Sequence, residues 1–328
     1  EQLRPLPQTN PVHDGLVNWT RWSARNFDAG REHHAWIVWC VAVLLPSLLA
    51  GFIYLALHHY SLILALVWDL AVLYLSLGFR QFSHYFTDIR DALDRGREDE
   101  ARTLLREWRH LDASELPRAE LLRHVIEHAL LAAHRHVFGV FFWFVLGSAL
   151  GLGPTGAVLY RMAEFCARHW NRRSPSLGAP AHEGLAQRST LAFALMDFIP
   201  ARLTAAGFAV VGNFEEAVGC WRQHASLWSR SNDGILLAAA AGATGIALGG
   251  PPPPPQEFAP PSGFDGGRGY GGFEAAAPVP PPGLDGQAST PGAAPQLGHL
   301  RSVVGLVWRS MVLWMLLLAL LSLANLLG

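Results

Sequence analysis

Leu111 to Phe144 reads LDASELPRAELLRHVIEHALLAAHRHVFGVFFWF. Its first half carries Arg, Glu and His at helical spacing, and from Val137 onward it carries no charge. A single helix therefore runs from a polar region straight into an apolar span, the pattern of a chain that sits at a membrane boundary.

Crossing the hydrocarbon takes about 20 apolar residues, and further stretches on either side meet that requirement. Ala35 to Leu57 has no charge, Tyr60 to Phe79 carries only Asp69, and Val137 to Tyr160 carries none, with Gly153-Pro154 expected to kink it or end it. Leu191 to Gly212 is a weaker span, with Asp197 and Arg202 around Pro200, and Ser310 to Leu327 is a strong Leu-rich one. Gly234 to Gly250 is built mostly of Ala and Gly, which suits close helix packing or a re-entrant segment better than a lipid-facing span.

With 51% hydrophobic and 16% charged residues over 328 positions, composition alone would permit a soluble protein. The clustering of the charge decides against it. The net charge of −1 supplies no basic field for nucleic acid. Every basic residue other than His is Arg, which excludes a catalytic Lys, a P-loop Lys and a Schiff base. Cys40, Cys166 and Cys220 lie far apart and read as buried thiols rather than a disulfide framework or a metal site. Because Glu1 stands where a Met would begin a chain, an upstream segment is expected.

The fold class that follows is all-α: a polytopic helical integral membrane protein with a soluble helical cap and a disordered Pro/Gly-rich insertion. Residues 1–34 form a Trp-rich interfacial segment and 35–79 a transmembrane hairpin. Residues 80–136 form the soluble helical region, in which Ala101, Leu104, Leu105 and Trp108 share one face. Residues 137–250 hold membrane helices, with a polar loop at 161–190 and the small-residue segment at 234–250. Residues 251–299 are too rich in Pro and Gly to bury a core and are expected to be a disordered linker, and 300–328 form the last span. Arg flanks both ends of the span at Val137, so the positive-inside rule leaves the orientation open.

Within this frame Asp112 and Glu115 read as a capping box for the helix that enters the membrane. His124-Val125-Ile126-Glu127-His128 matches the H-x-x-E-H pattern of zinc peptidases, although no third ligand stands out by spacing among 15 His. Asp69, Asp197, Arg202 and Arg309 lie in or beside apolar segments, where ionisable groups pair or line a cavity, and an Asp69–Arg202 pair is one expectation. Asn232 is placed to cap the following helix, and Phe141, Phe142 and Trp143 to pack.

The order of motifs resembles the CbiB/CobD family of cobalamin-biosynthesis membrane proteins. The similarity covers most of the chain outside the insertion. Asn10-Pro11-Val12 is similar to the family's His-Pro-Val, and Asp112 falls on its Arg-Asp-Thr. Arg123 and Glu127 fall on its Arg-x-x-x-Glu, and Phe142-Trp143 on its Leu-Phe-Trp. Tyr160-Arg161 looks like its Tyr-Arg, and Pro200 to Leu203 is its Pro-Ala-Arg-Leu. Ala241 to Gly250 is similar to its Ala-Gly-Ala-Leu-Gly-x-x-Leu-Gly-Gly. The resemblance implies ATP-dependent amide ligation of aminopropanol, or its phosphate, to adenosylcobyric acid, with ATP and Mg2+ as cofactors. It implies catalytic roles for Glu127, Arg123 and Asp112, and substrate-binding roles for Arg202, Tyr160, Arg161 and Asn232, with no resident metal. The implied partners are membrane lipid, a corrinoid intermediate and other membrane proteins, with no nucleic acid, and the implied location is the bacterial inner membrane, crossed several times.

The chain also departs from that pattern. The family's Glu-Asn-x-x-Asp-Gly is Leu131 to His136 here, its Asn-Thr-Leu-Asp-Ser-Met is Glu164 to His169, its Asp-Asp is Phe193-Ala194, and its Ser-Pro-Asn is Arg230 to Asn232. Carboxylates are the natural magnesium ligands, so their loss predicts a weakened metal site. Phe142-Trp143, Gly153-Pro154 and Met196-Asp197 ahead of Pro200 also resemble AmpE, a member of the same superfamily linked with β-lactamase induction. That resemblance implies a non-catalytic regulatory protein.

Overall fold

The computed structural model describes residues 11–27, 32–77, 79–109, 116–171, 183–228, 230–250 and 289–327. These residues are helical almost throughout, and the β-pairing among them is one isolated parallel bridge, Ile246 to Ala293. The helices are α1 (Pro11–Phe27), α2 (Glu32–Tyr60), α3 (Leu62–Leu77), α4 (Phe79–Asp94), α5 (Glu98–Arg109) and α6 (Arg118–Ala133). A π-helical turn, His134–Phe138, leads into α7 (Gly139–Ala149). Then come α8 (Thr155–Asn171), α9 (Glu183–Met196), α10 (Phe198–Val211), α11 (Phe214–His224), α12 (Ser231–Thr244) and α13 (Leu297–Leu327).

Among the described residues three helical stretches are long and apolar enough to cross a membrane: His34–Tyr60, Arg118–Ala149 and Leu297–Leu320. The pair α9–α10, bent by 49°, makes a fourth when read as one broken span. Leu62–Leu77 is apolar but shorter. α1 is not an isolated interfacial helix. It folds back on α2, with Trp19 Nε1 donating to the Ala42 carbonyl at 3.1 Å and Thr20 and Ser23 buried.

The span beginning at Val137 does not reach Tyr160. Gly153-Pro154 ends it rather than kinking it, because Gly151 and Gly153 take positive φ in a tight turn that only glycine adopts at low cost. The chain then returns as α8 beside α7. A Cβ on Gly156 would collide with the Trp143 carbonyl, and one on Gly139 with the Tyr160 ring, so these two glycines set the close approach of the pair. Residues 161–171, expected in a polar loop, are the second half of α8. Ala163, Phe165, Cys166 and Trp170 are buried there, so this face is core rather than solvated chain.

Among the described residues two large hydrophobic cores result, with a small third cluster of Ala205, Ile235 and Ala239. One joins α4 and α5 to α6, α10, α12 and α13, with Ile89, Leu105, Ile126 and Leu236 inaccessible or nearly so. The other joins α1, α2, α8 and α9 around Val38, Val43, Tyr160 and Cys166. The continuous run α6, π-turn and α7 belongs to both. α12 is buried over Gly234–Gly242, in keeping with the close-packing reading of its small residues. Residues 289–299, expected in the disordered linker, are ordered: Thr290 N donates to Leu248 O at 2.8 Å and Ala247 N to Ala293 O at 2.9 Å. α13 accordingly starts before residue 300. The rest of the expected linker, residues 251–288, lies outside the described residues.

Candidate functional site

Two polar clusters lie on one edge of the α6 run, because Arg123, Glu127 and His134 are four and seven residues apart and share a helical face. In the first, Arg123 Nε donates to Glu120 at 3.0 Å, and Arg123 Nη1 lies 3.8 Å from Glu127. Glu127 Oε1 also accepts from Gly249 N at 2.8 Å. Gly249 has φ of 80°, and a Cβ on Gly250 would lie 2.5 Å from Arg123 Nη1. Two of the residues expected to be catalytic therefore grip the Leu-Gly-Gly backbone. The third, Asp112, and its capping box lie outside the described residues; α6 starts at Arg118 behind Pro117, with no side-chain cap.

The H-x-x-E-H pair does not converge on a common point with a third ligand. His128 packs edge-on against Trp108, centroids 4.3 Å apart, and His124 Nδ1 lies 3.9 Å from Glu127. Among the described residues no three His, Cys, Asp or Glu side chains gather closely enough to hold a metal ion.

The second cluster lies where the two cores meet. Asp197, 2% exposed, interrupts the α9–α10 span. Pro200 has no N–H to give the Met196 carbonyl one turn back, and Trp143 Nε1 donates there instead at 3.3 Å. Across from this break stands the π-turn, so both distorted helices face one another. Asp197 Oδ1 accepts from Tyr160 OH at 2.7 Å and contacts His134 Nε2 at 2.8 Å, and Oδ2 accepts from Asn232 Nδ2 at 3.4 Å. His134 Nδ1 lies 3.0 Å from Thr204 Oγ1, which also lies 2.9 Å from Pro200 O. Thr204 has one hydroxyl proton, so it can serve only one of these two partners. If it donates to Pro200, His134 must donate at Nδ1; if it donates to His134, the imidazole is neutral and gives its Nε2 proton to Asp197.

Asn232 does not cap α12. Arg230 occupies the N-cap position, and Asn232 instead donates to Ala194 O at 2.9 Å and accepts from Arg202 Nη1 at 3.4 Å. Arg202 is thereby linked to Asp197 through an amide, and the expected Asp69–Arg202 pair does not form. Asp69 lies instead within reach of His58, because α3 packs on α2 rather than on α10. Arg135 Nη2 binds both oxygens of Asp233 at 2.7 and 2.8 Å, and Arg161 and Arg168 hold the buried Glu164 at 3.0 and 3.5 Å. Tyr160 and Arg161, adjacent in sequence, thus serve different acids.

Of the residues expected to bind substrate, Tyr160 and Asn232 meet on Asp197, Arg202 joins them through Asn232, and Arg161 is held by Glu164 instead. Sequence reasoning marked Asp197 only as a costly charge in an apolar span. It missed His134, Arg135 and Thr204, whose one signal was polar character inside an otherwise apolar run. Cys220, on α11, is buried, which pushes its thiol pKa up, as suits an unreactive cysteine.

Asp197, Asp233, Glu164 and Glu127 each already hold an internal cation or donor, and no two share an open position. This donor set does not fit Mg2+ as it stands.

The family model described as CobD/Cbib protein matches residues 10–253. The cobalamin biosynthesis protein CobD of Stutzerimonas stutzeri (strain A1501) is 30% identical over 297 residues, covering 89% of this chain and 84% of the relative. The protein of the same name from Chromobacterium violaceum is 33% identical over 187 residues, 57% of each chain. No solved structure matches the chain. With most of its length matched by that family's model and aligned to a relative of 30% identity, the chain belongs to the CobD/CbiB family.

Proposed function

We propose that this chain acts in cobalamin biosynthesis at the bacterial inner membrane, joining an aminopropanol unit to a corrinoid carboxylate. The observation that carries the reading is the meeting of Tyr160 and Asn232 on Asp197, with Arg202 joined to them through Asn232, at positions that the family resemblance assigns to substrate. In this reading Tyr160 and Asn232 fix the acceptor geometry of the junction, and Arg123 and Glu127 fix the Gly249-Gly250 backbone further along the same helical run. ATP would supply the activation of the carboxylate. No step is assigned to Mg2+, because the carboxylates are otherwise engaged. The test is complementation of a strain lacking the ligase, supplied with cobyric acid. Growth is expected, and its absence with the protein demonstrably in the membrane overturns the reading.

A second reading, a non-catalytic AmpE-like regulatory protein, is favoured by the internal hydrogen bonding of Asp197 and the pairing of Asp233 and Glu164 with arginines. It predicts that purified protein in detergent does not bind Mg-ATP. Saturable, specific nucleotide binding would eliminate it.

A further inference from the structure

α9 and α10 turn an apolar face outward, on which Leu195, Phe198, Ile199 and Leu203 are 67%, 48%, 55% and 43% exposed. Arg202 lies within that face. Its Cζ stands 3.4 Å over the Phe198 ring, and its Nη1 donates to Phe198 O at 2.9 Å and to Asn232 Oδ1 at 3.4 Å. Both acceptors are uncharged. The acid nearest in electrostatic effect, Asp197, already has its oxygens occupied by Tyr160, His134 and Asn232. Arg230 is exposed, and it stands two residues before the Asn232 that Arg202 touches. It forms no ion pair with the described acids. Arg202 thus lies among side chains suited to acyl chains, Arg230 stands two residues from the Asn232 that Arg202 touches, and neither guanidinium forms an ion pair among the described residues.

We propose that this corner binds the headgroup phosphate of an anionic phospholipid, with its acyl chains lying over Leu195, Phe198, Ile199 and Leu203. A guanidinium fork matches phosphate oxygens, and a cation on an apolar face gains most from a headgroup that brings net negative charge. The site shares Arg202 and its Asn232 contact with the junction of the proposed function, but it is read by lipid retention and not by ligation, so the two readings fail separately.

The experiment uses the full chain, delipidated in detergent and titrated with phosphatidylglycerol or phosphatidylcholine, with retained lipid counted by native mass spectrometry. Phosphatidylglycerol is expected to be retained preferentially. Arg202→Gln and Arg230→Gln are each expected to lower its affinity by roughly fivefold, about the contribution of one cation near a lipid surface. Arg230→Gln keeps the test decisive if Arg202→Gln does not fold, since the exposed Arg230 side chain supports no packing. Equal retention of the two lipids, or unchanged affinity in the variants, overturns the proposal. Displacement of lipid by millimolar inorganic phosphate also overturns it, by marking a site for free phosphate. A dimer whose stability, rather than lipid retention, depends on Arg202 would make the face a protein interface and likewise end the proposal.

Discussion

Replacing Asp197 with Ala removes the acceptor on which the two halves of the molecule close. Tyr160 OH and His134 Nε2, at 2.7 and 2.8 Å, would then be left without a partner in positions 0% and 1% exposed. An orphaned buried donor costs about 1–3 kcal/mol, so the pair predicts a loss of about 4 kcal/mol, the long Asn232 contact adding little. Hydrogen bonds inside membrane proteins average nearer 0.6 kcal/mol, because the unfolded chain in lipid finds other partners, which sets a floor of about 1–2 kcal/mol. Asp197→Asn separates acceptor count from charge. It keeps an oxygen for Tyr160 and His134 and sets its amide against Asn232 Nδ2, a donor facing a donor, for a loss of about 1 kcal/mol. Reversible unfolding in mixed detergent and SDS, followed by circular dichroism, reads both variants. An Ala variant within about 1 kcal/mol of wild type would refute the reasoning. So would equal losses in the two variants, which would put the effect in the negative charge and not in the acceptors.

Three further outcomes follow from the same geometry. Glu127→Gln should keep the Gly249 contact and the wild-type midpoint within about 0.5 kcal/mol, whereas Glu127→Ala should lose about 1–3 kcal/mol; a complementation defect in the Gln variant alone would place Glu127 in chemistry and not in support. Arg135→Gln should cost roughly 3–5 kcal/mol by stranding Asp233, and the Arg135→Leu/Asp233→Leu pair should recover most of it in a double-mutant cycle. Replacing residues 254–285 with a short Gly-Ser turn should leave the midpoint within about 1 kcal/mol, because the chain on both sides is already closed by the Thr290 and Leu248 backbone bonds.

The spans were legible because charge-free length is a one-dimensional signal, and α2, the α6–α7 run and α13 carry it plainly. α8 was not, because Arg161, Glu164 and Arg168 make its second half look solvated. Those charges neutralise one another and leave Phe165, Cys166 and Trp170 free to pack. Patterning counts a charge as a reason for water, and it has no way to register that a partner three or four residues on removes that reason. Residues 289–299 were misread for a related cause: their order comes from backbone pairing with residues 245–248, which composition does not encode.

The junction was the least legible part, since its partners on different helices lie 30 to 98 residues apart. Its sequence signature had been counted as loss. Arg135 stands where the family pattern carries an acid, and by itself that reversal would place a cation in a buried site built for an anion. Asp233, 98 residues on, answers it with two oxygens at 2.7 and 2.8 Å. His134, in the same divergent run, is answered by Asp197 and Thr204, and Glu164, where the pattern has an amide, by Arg161 and Arg168. A buried charge left by chance would strand its partner at several kcal/mol, so departures that arrive already paired are a rebuilt polar junction and not a decayed one. Among the described residues these pairings leave no cluster of acids placed to hold a metal ion. The interlocked pairs kept the two cores joined across the membrane helices, and any ligase activity has to be sought in what Arg123, Tyr160, Arg202 and Asn232 can still offer a substrate.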